Sequence, residues 1–380
     1  MNKAIILFLT AFFISLQLFS QTVTDSTSTD SVLLKQITEQ MQTANPEPVP
    51  QQTRSAISAN PDIGVVADFR ASYLNSGKKN VDAYLNETEV SLQSIVDPYI
   101  RADFFLSLSR DPVTHKYGIE VEEGYLTTLT LPARLQLKVG KFREAVGRIN
   151  PVHPHALPFI DLPAAYVNYF GEEGLNDEGA SLSWLAPTKS FYQELIFQAT
   201  SGTSESPVFN RGDNNRFVYL GHLKNFFTLS ENATLELGLT GITGPNDSSK
   251  NTNIAAVDLT YKWKPVQMNT YKSLTWQSEF FYGNARYSSD KAHNSFGLYS
   301  FIEDQVAKRW FVTARYDYAQ RPYNKSILEQ AYSLTAGWNA TEFQKIEIEG
   351  KHTTVNVEPD FTQAWLRWIF VIGAHGAHQY

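Results

Sequence analysis

Trp365-Leu-Arg-Trp-Ile-Phe-Val-Ile-Gly-Ala-His-Gly-Ala-His-Gln-Tyr380 closes the sequence. Taken by twos, it puts Leu366, Trp368, Phe370 and Ile372 on one face, with Tyr380 in the same register. Alternate side chains of a β-strand point to opposite faces, so these residues form one apolar stripe. A last strand of this kind, ending on an aromatic residue, suits the closure of a membrane barrel. Tyr380, Phe370 and Trp368 are therefore expected to carry the assembly signal. His378 and Gly376 stand at stripe positions that aliphatic residues would fill better, so the rest of the chain must decide.

From Ile63 onward the same period of two recurs. Ile100, Ala102, Phe104, Leu106 and Leu108 alternate with Arg101, Asp103, Ser107 and Ser109. Val257, Leu259, Tyr261 and Trp263 alternate with Asp258, Thr260, Lys262 and Lys264, and Trp310, Val312, Ala314, Tyr316 and Tyr318 with Thr313, Arg315 and Asp317. Ile346 and Ile348 alternate with Glu347, Glu349 and Lys351. Alternation alone fits a soluble sandwich as well as a barrel with its apolar face outward. Strand length and end chemistry separate them. Many segments run about 10–14 residues, against about 5–6 in soluble sheets. Aromatic residues gather near their ends, among them Tyr125, Trp184, Tyr219, Trp263, Trp310, Trp338 and Trp365, as at the two interfaces of a bilayer.

Connection lengths give an independent check. Strands are expected near 63–74, 86–95, 98–110, 117–131, 134–143, 179–186, 190–201, 216–229, 233–243, 253–266, 273–287, 294–307, 309–319, 327–340, 344–356 and 362–376. Even-to-odd connections are then tight, as at Val96-Asp-Pro, Leu131-Pro-Ala and Ser230-Glu-Asn. Odd-to-even ones are longer, including 144–178, 202–215 and Arg321-Pro-Tyr-Asn-Lys. Short periplasmic turns, long outer loops and an even strand number are the outer-membrane pattern. The fold class is all-β, an antiparallel transmembrane barrel of about 16 strands.

Residues 1–20 read as a secretory leader, with Lys3 before an apolar stretch from Ile5 to Phe19 and cleavage near Ser20–Gln21. Residues 21–60 are rich in Ser, Thr, Gln and Pro and read as a periplasmic linker. Within it Val32, Leu33, Ile37 and Met41 suggest a short helix over 31–43. The barrel is expected over 61–380. The 380-residue chain has no cysteine, which excludes disulfides and a lipidated N-terminal cysteine. A net charge of −7 argues against a nucleic-acid partner. A mean hydropathy of −0.29 is compatible with a barrel, because only alternate residues meet lipid.

The longest connection, 144–178, is the third on the outer side and is expected to fold into the lumen and narrow it. Its end, Tyr169-Phe-Gly-Glu-Glu-Gly-Leu-Asn-Asp-Glu-Gly179, carries Glu172, Glu173, Asp177 and Glu178. Opposite them, Arg101, Lys138 and Arg315, with Lys224, Lys262 and Lys351, are candidate wall cations. Loop acids facing wall cations set a field that selects solutes by charge. The wall also holds Asp103, Glu120, Glu122, Asp258 and Glu347, so it is mixed in sign. The bland alternative is a solvated loop whose acids do nothing specific.

Val139-Gly-Lys-Phe-Arg-Glu-Ala-Val-Gly-Arg148 resembles the strand-and-loop pattern of porin-like barrels of the phosphate-selective porin O/P group. Some relatives in that broad group are labelled zinc-regulated or TonB-dependent. The resemblance covers about residues 134–185, and Val146 stands where the pattern has an aromatic residue. It implies a 16-stranded diffusion pore. A TonB-dependent receptor needs about 22 strands and a plug, more than residues 61–380 supply.

His153, His155, His375 and His378 form two close pairs, and imidazole with carboxylate is adequate zinc chemistry. Strand parity puts the pairs at opposite ends of the barrel, so zinc is the weaker expectation and the main one is no cofactor. Enzyme chemistry is not expected. No Gly-x-Ser-x-Gly occurs, and lone His222 does not make a triad. The expected role is passive diffusion of small hydrophilic solutes through the outer membrane, with the bilayer and the barrel-assembly machinery as partners and a homotrimer as the assembly. A non-conducting barrel that binds a ligand or metal is the rival, and a barrel hydrolase comes third.

Overall fold

The computed structural model describes residues 61–373 except 77, 112–113, 213–214 and 288–291. The expected leader 1–20, the linker 21–60 with its helix 31–43, and Tyr380, His375 and His378 lie outside the described residues.

Among the described residues, sixteen antiparallel strands close on themselves. They are β1 Asp62–Ser76, β2 Lys78–Asp97, β3 Ile100–Arg110, β4 Tyr117–Thr128, β5 Leu135–Arg143, β6 Asn176–Leu185, β7 Tyr192–Thr200 and β8 Val218–Ser230. The rest are β9 Ala233–Pro245, β10 Asn251–Trp263, β11 Leu274–Arg286, β12 Ala292–Ala307, β13 Trp310–Arg321, β14 Asn324–Thr341, β15 Gln344–Val355 and β16 Glu358–Gly373. The closing seam pairs β1 with β16 from Gly64 opposite Gly373 to Asn75 opposite Thr362. Closure leaves no unpaired sheet edge, which is the condition for a sheet to cross lipid.

The apolar stripe of β16 faces outward. Leu366, Trp368 and Ile372 are exposed while Arg367 between them is fully buried. The same holds for exposed Ile348 between buried Glu347 and Glu349, and for exposed Val257 beside buried Asp258. On the outside, aromatic residues of neighbouring strands pair, as Trp310 with Trp338 (ring centroids 5.9 Å) and Tyr316 with Tyr332 (5.0 Å). Cross-strand aromatic pairs of this kind stabilise register by about 0.2–1 kcal/mol each.

Two expectations need correction. The connections at one end are not all long: β13–β14 and β15–β16 turn through two residues each, 322–323 and 356–357. Strand pairing there runs on to Arg321 opposite Asn324, which absorbs most of the expected loop Arg321-Pro-Tyr-Asn-Lys. Tyr125 is not in the outer girdle. A β-bulge in β4 sets Glu123 opposite Phe105 and Val121 opposite Leu106, leaving Glu122 as the extra residue. An extra residue reverses the facing of everything beyond it. Glu122 and Glu123 therefore both point inward and are buried, and Tyr125 follows them, lying under the ammonium of Lys138 at 4.1 Å.

Candidate functional site: a loop across the lumen

The connection 144–175 enters the lumen and touches the wall on several sides. Its neck is set by Asn150, whose amide donates to the carbonyls of Glu144 (2.8 Å) and Leu175 (2.9 Å) and whose oxygen accepts from the Leu175 N–H. Gly147 turns the chain with φ +55, and a Cβ there would fall 1.9 Å from Glu279 Oε2. Only glycine combines that left-handed conformation with so close an approach. Beyond the turn, the N–H groups of Arg148 and Ile149 donate to Glu279 Oε1, and the Tyr166 hydroxyl donates to Glu279 Oε2 at 2.7 Å.

Farther along, the fully buried guanidinium of Arg367, paired with Glu347 at 2.5 Å, donates to the carbonyls of Pro154 and Leu157. The Ile160 N–H donates to Glu349 Oε2 at 2.6 Å. Asp161 then meets Arg315 (2.7 Å) and Lys351 (2.5 Å). Burial weighs against its charge, but these two cations outweigh burial and hold its carboxyl well below the usual range.

After Pro163 the loop makes a short helix, α1 (Ala164–Phe170), with Tyr166, Tyr169 and Phe170 at i, i+3 and i+4. These three rings pack on Phe281, Tyr166 edge-on at 5.2 Å and 88°. Gly283 and Gly297 leave the space, since a Cβ on either would press on Tyr169 at 2.8 and 3.2 Å. The result is an apolar cluster inside the barrel, with Ile149, Leu157 and Phe159 from the loop and Leu220, Ile242, Ile254, Tyr299 and Phe301 from the wall. The inner wall is thus apolar around Phe281 and polar or charged over much of the rest.

The near end of the loop lies against β2 and β4. His153 Nδ1 is 2.7 Å from Glu89 Oε2, and its Nε2 is 2.7 Å from Glu123 Oε1. His155 Nδ1 is 3.7 Å from Glu89 Oε2. Burial opposes a charge on His153, but Glu122, Glu123 and Glu89 outweigh it and raise this imidazole well above its ordinary value. Arg143 bonds Glu122 at 2.5 Å and the carbonyl of Glu173 at 2.8 Å. Glu144 is fully buried; burial, with Asp177 nearby, pushes its carboxyl up to about 8, against a hydrogen bond from Thr200.

Of the wall cations expected to face the loop, Arg315 and Lys351 pair with it, both through Asp161, which the sequence pattern did not single out. Glu172, Glu173 and Glu178 are exposed, Glu173 standing 3.9 Å from Arg143. Asp177 is buried and accepts the N–H groups of Thr203 and Ser204, tying down the β7–β8 connection. Arg101 pairs with Asp103 at 2.8 Å, and both Arg101 and Lys138 lie at the level of Thr127 near the short turns. The expected arrangement is largely inverted: apart from Asp161, the loop brings N–H groups, a histidine and Arg148 to wall acids.

Between the loop and β10–β12, Arg148, Lys262, Glu303, Lys345, Thr275 and Gln277 line a cleft. Arg148 and Lys224 each lie 3.4 Å from Glu236. These ion pairs lie next to the cleft, whose other side is apolar, lined by Ile149, Val152, Leu157 and Phe301.

No family model matches the chain. It is 28% identical over 348 residues to an uncharacterised protein of Aquifex aeolicus (strain VF5), covering 78% of this chain and 70% of that one. Its fold is similar to the anion-selective porin from Comamonas acidovorans (TM-score 0.57, 9% identity, covering 82% of this chain and 99% of that one). It is also similar to the outer membrane channel DcaP of Acinetobacter baumannii (TM-score 0.58, 9% identity, 83% and 98%). A third is OpdK of Pseudomonas aeruginosa, solved with vanillate (TM-score 0.52, 9% identity, 84% and 100%). At these identities the likeness is one of fold. The chain is a 16-stranded barrel of the porin architecture.

Proposed function

We propose that the protein is an outer-membrane channel for small hydrophilic solutes, with loop 144–175 as its constriction. One observation carries the reading: a loop anchored on opposite walls by buried charged groups leaves a cleft beside it whose polar side is formed by Arg148 and the wall residues Lys262, Glu303 and Lys345. Charged side chains lining a narrow passage select solutes by sign. A purely structural barrel gains nothing from keeping them in its lumen. The selective groups are Arg148, Lys224, Lys262 and Lys345 against Glu236 and Glu303, rather than Glu172, Glu173 and Glu178 at the rim. Insertion by the barrel-assembly machinery through β16 and packing as a homotrimer belong to the same reading.

The rival is a barrel that binds a ligand without conducting, favoured by the number of walls the loop touches. Single-channel recording of the refolded chain in planar bilayers decides between them. Stable steps with a reversal potential in a salt gradient are expected. Silence from a folded, heat-modifiable barrel would overturn the channel and leave the ligand-binding barrel.

A further inference from the structure

We infer that Glu89, His153 and His155 form a transition-metal site of the zinc class that fastens the infolded loop to the β2–β4 wall. The inference is independent of whether the barrel conducts.

The donors converge from separate parts of the chain. Glu89 comes from β2, and His153 and His155 flank Pro154 in the loop. One ligand atom from each lies within 4.8 Å of the other two. A tetrahedral zinc-class ion with bonds of about 2.0–2.2 Å spaces its donors by about 3.4 Å. The observed separations from Glu89 Oε2, 2.7 Å to His153 and 3.7 Å to His155, bracket that value. Glu122 Oε1, 3.5 Å from His153 Nδ1, is paired with Arg143 and adds negative charge beside the three donors.

The outer shell is also in place. A metal-ligating histidine usually gives its other N–H to a carboxylate, which fixes the tautomer. His153 Nε2 is 2.7 Å from Glu123 Oε1, so Nδ1 is the nitrogen turned to Glu89. A short 3-10 turn, Pro154–Ala156, follows His153 and turns His155 back beside it, with ring centroids 5.6 Å apart. Phe105 covers His153 at 4.9 Å and keeps the site dry.

Two further observations point to a cation. Glu89, Glu122 and Glu123 are all buried beside His153, three carboxylates against the guanidinium of Arg143, which pairs with Glu122. Among the described residues, Glu89 Oε1 and Glu122 Oε2 are buried with no hydrogen-bond partner. Unpaired buried carboxylate oxygens are costly, and a divalent ion held through Glu89 Oε2 offsets the charge of the carboxylates that carry them. Two imidazoles select a zinc-class ion over calcium or magnesium, which prefer all-oxygen sites.

The test uses the folded full chain and Co²⁺ alone, read by its visible d–d absorption, then Zn²⁺ as competitor. The expected result is one Co²⁺ per chain with the intense band of a tetrahedral nitrogen–oxygen site, displaced by Zn²⁺. His155→Gln should weaken binding more than tenfold, and Glu123→Gln by about tenfold through the lost outer-shell bond. The double variant His375→Gln/His378→Gln should bind as wild type. Chelation of the wild type should raise amide exchange across 150–158, and Zn²⁺ should restore it. No band in the folded wild type, unchanged exchange on chelation, or binding lost only in the His375/His378 variant would each overturn the site. His153 would then be a protonated latch between two carboxylates.

Discussion

The carboxylate of Asp161 lies 2.7 Å from the guanidinium of Arg315, across 154 residues of sequence. Arg315 also donates to the Asp161 carbonyl at 2.8 Å, so the pair fixes both backbone and side chain of the loop. Lys351, from the neighbouring region of the wall, completes the contact at 2.5 Å. The loop is held open-side and far-side at once, and its position sets what remains of the lumen.

Asp161→Asn should loosen this far anchor. Arg315 keeps Asp317 at 3.0 Å, but Lys351 loses its partner. Breaking a buried pair costs about 3–5 kcal/mol, and the partial exposure of Asp161 places the effect near the lower end. Amide exchange across 158–164 should rise roughly 100-fold, measured by mass spectrometry. Exchange as slow as wild type would mean the α1 contacts hold the loop alone.

The near anchor should depend on pH through Glu144. Its folded-state carboxyl lies at about 8 against an ordinary 4.5, so the folded loop binds the proton more tightly than the released loop. The contribution is complete below about 4.5 and is lost as pH rises through about 8. Exchange of the neck, corrected for its intrinsic pH dependence, should therefore increase across that window. Glu144→Gln, a permanent mimic of the neutral form, should flatten the profile, and a profile unaltered by it would place the titration elsewhere.

Gly147→Ala tests the turn into the lumen. A left-handed non-glycine residue costs roughly 1–2 kcal/mol before the clash with Glu279 is counted. The loop should detach at Gly147 with the barrel intact, seen as protease cleavage between 145 and 160 in a protein that remains heat-modifiable. A barrel as protease-resistant as wild type would show that the turn tolerates a Cβ.

Leu334 is exposed midway along β14, whereas Tyr323 is exposed in a turn. Arginine facing mid-bilayer costs about 2–4 kcal/mol and close to zero at the interface. Refolding yields into lipid vesicles should fall for Leu334→Arg and stay near wild type for Tyr323→Arg. Equal yields would contradict a lipid-facing exterior.

Lys262→Glu reverses a charge in the cleft beside the loop. In a salt gradient the reversal potential should move toward cation preference, while Glu172→Lys at the exposed rim should move it much less. Rim and cleft variants with equal shifts would return the selectivity to the loop acids.

Much of this was legible in the chain alone. The number of strands, their outward faces and the depth of β16 follow from a period of two. That period is a local property, and lipid on one side imposes it strand after strand, as the alternation of exposed Leu366 and Trp368 with buried Arg367 shows. α1 also leaves a local mark, since Tyr166, Tyr169 and Phe170 after Pro163 have helical spacing. The bulge at Glu122 left none, because one extra residue in a strand keeps the composition and only reverses the facing beyond it.

Inside the barrel, partners are chosen by three-dimensional proximity rather than by spacing. Asp161 finds Arg315, Gly147 finds Glu279 and His153 finds Glu89 only after the sheet has closed and the loop has entered. The wall is thus written in the local order of residues, whose pattern answers to its surroundings one residue at a time. The lumen is settled by the folded arrangement, where low dielectric makes each buried charge depend on a partner brought from far along the chain.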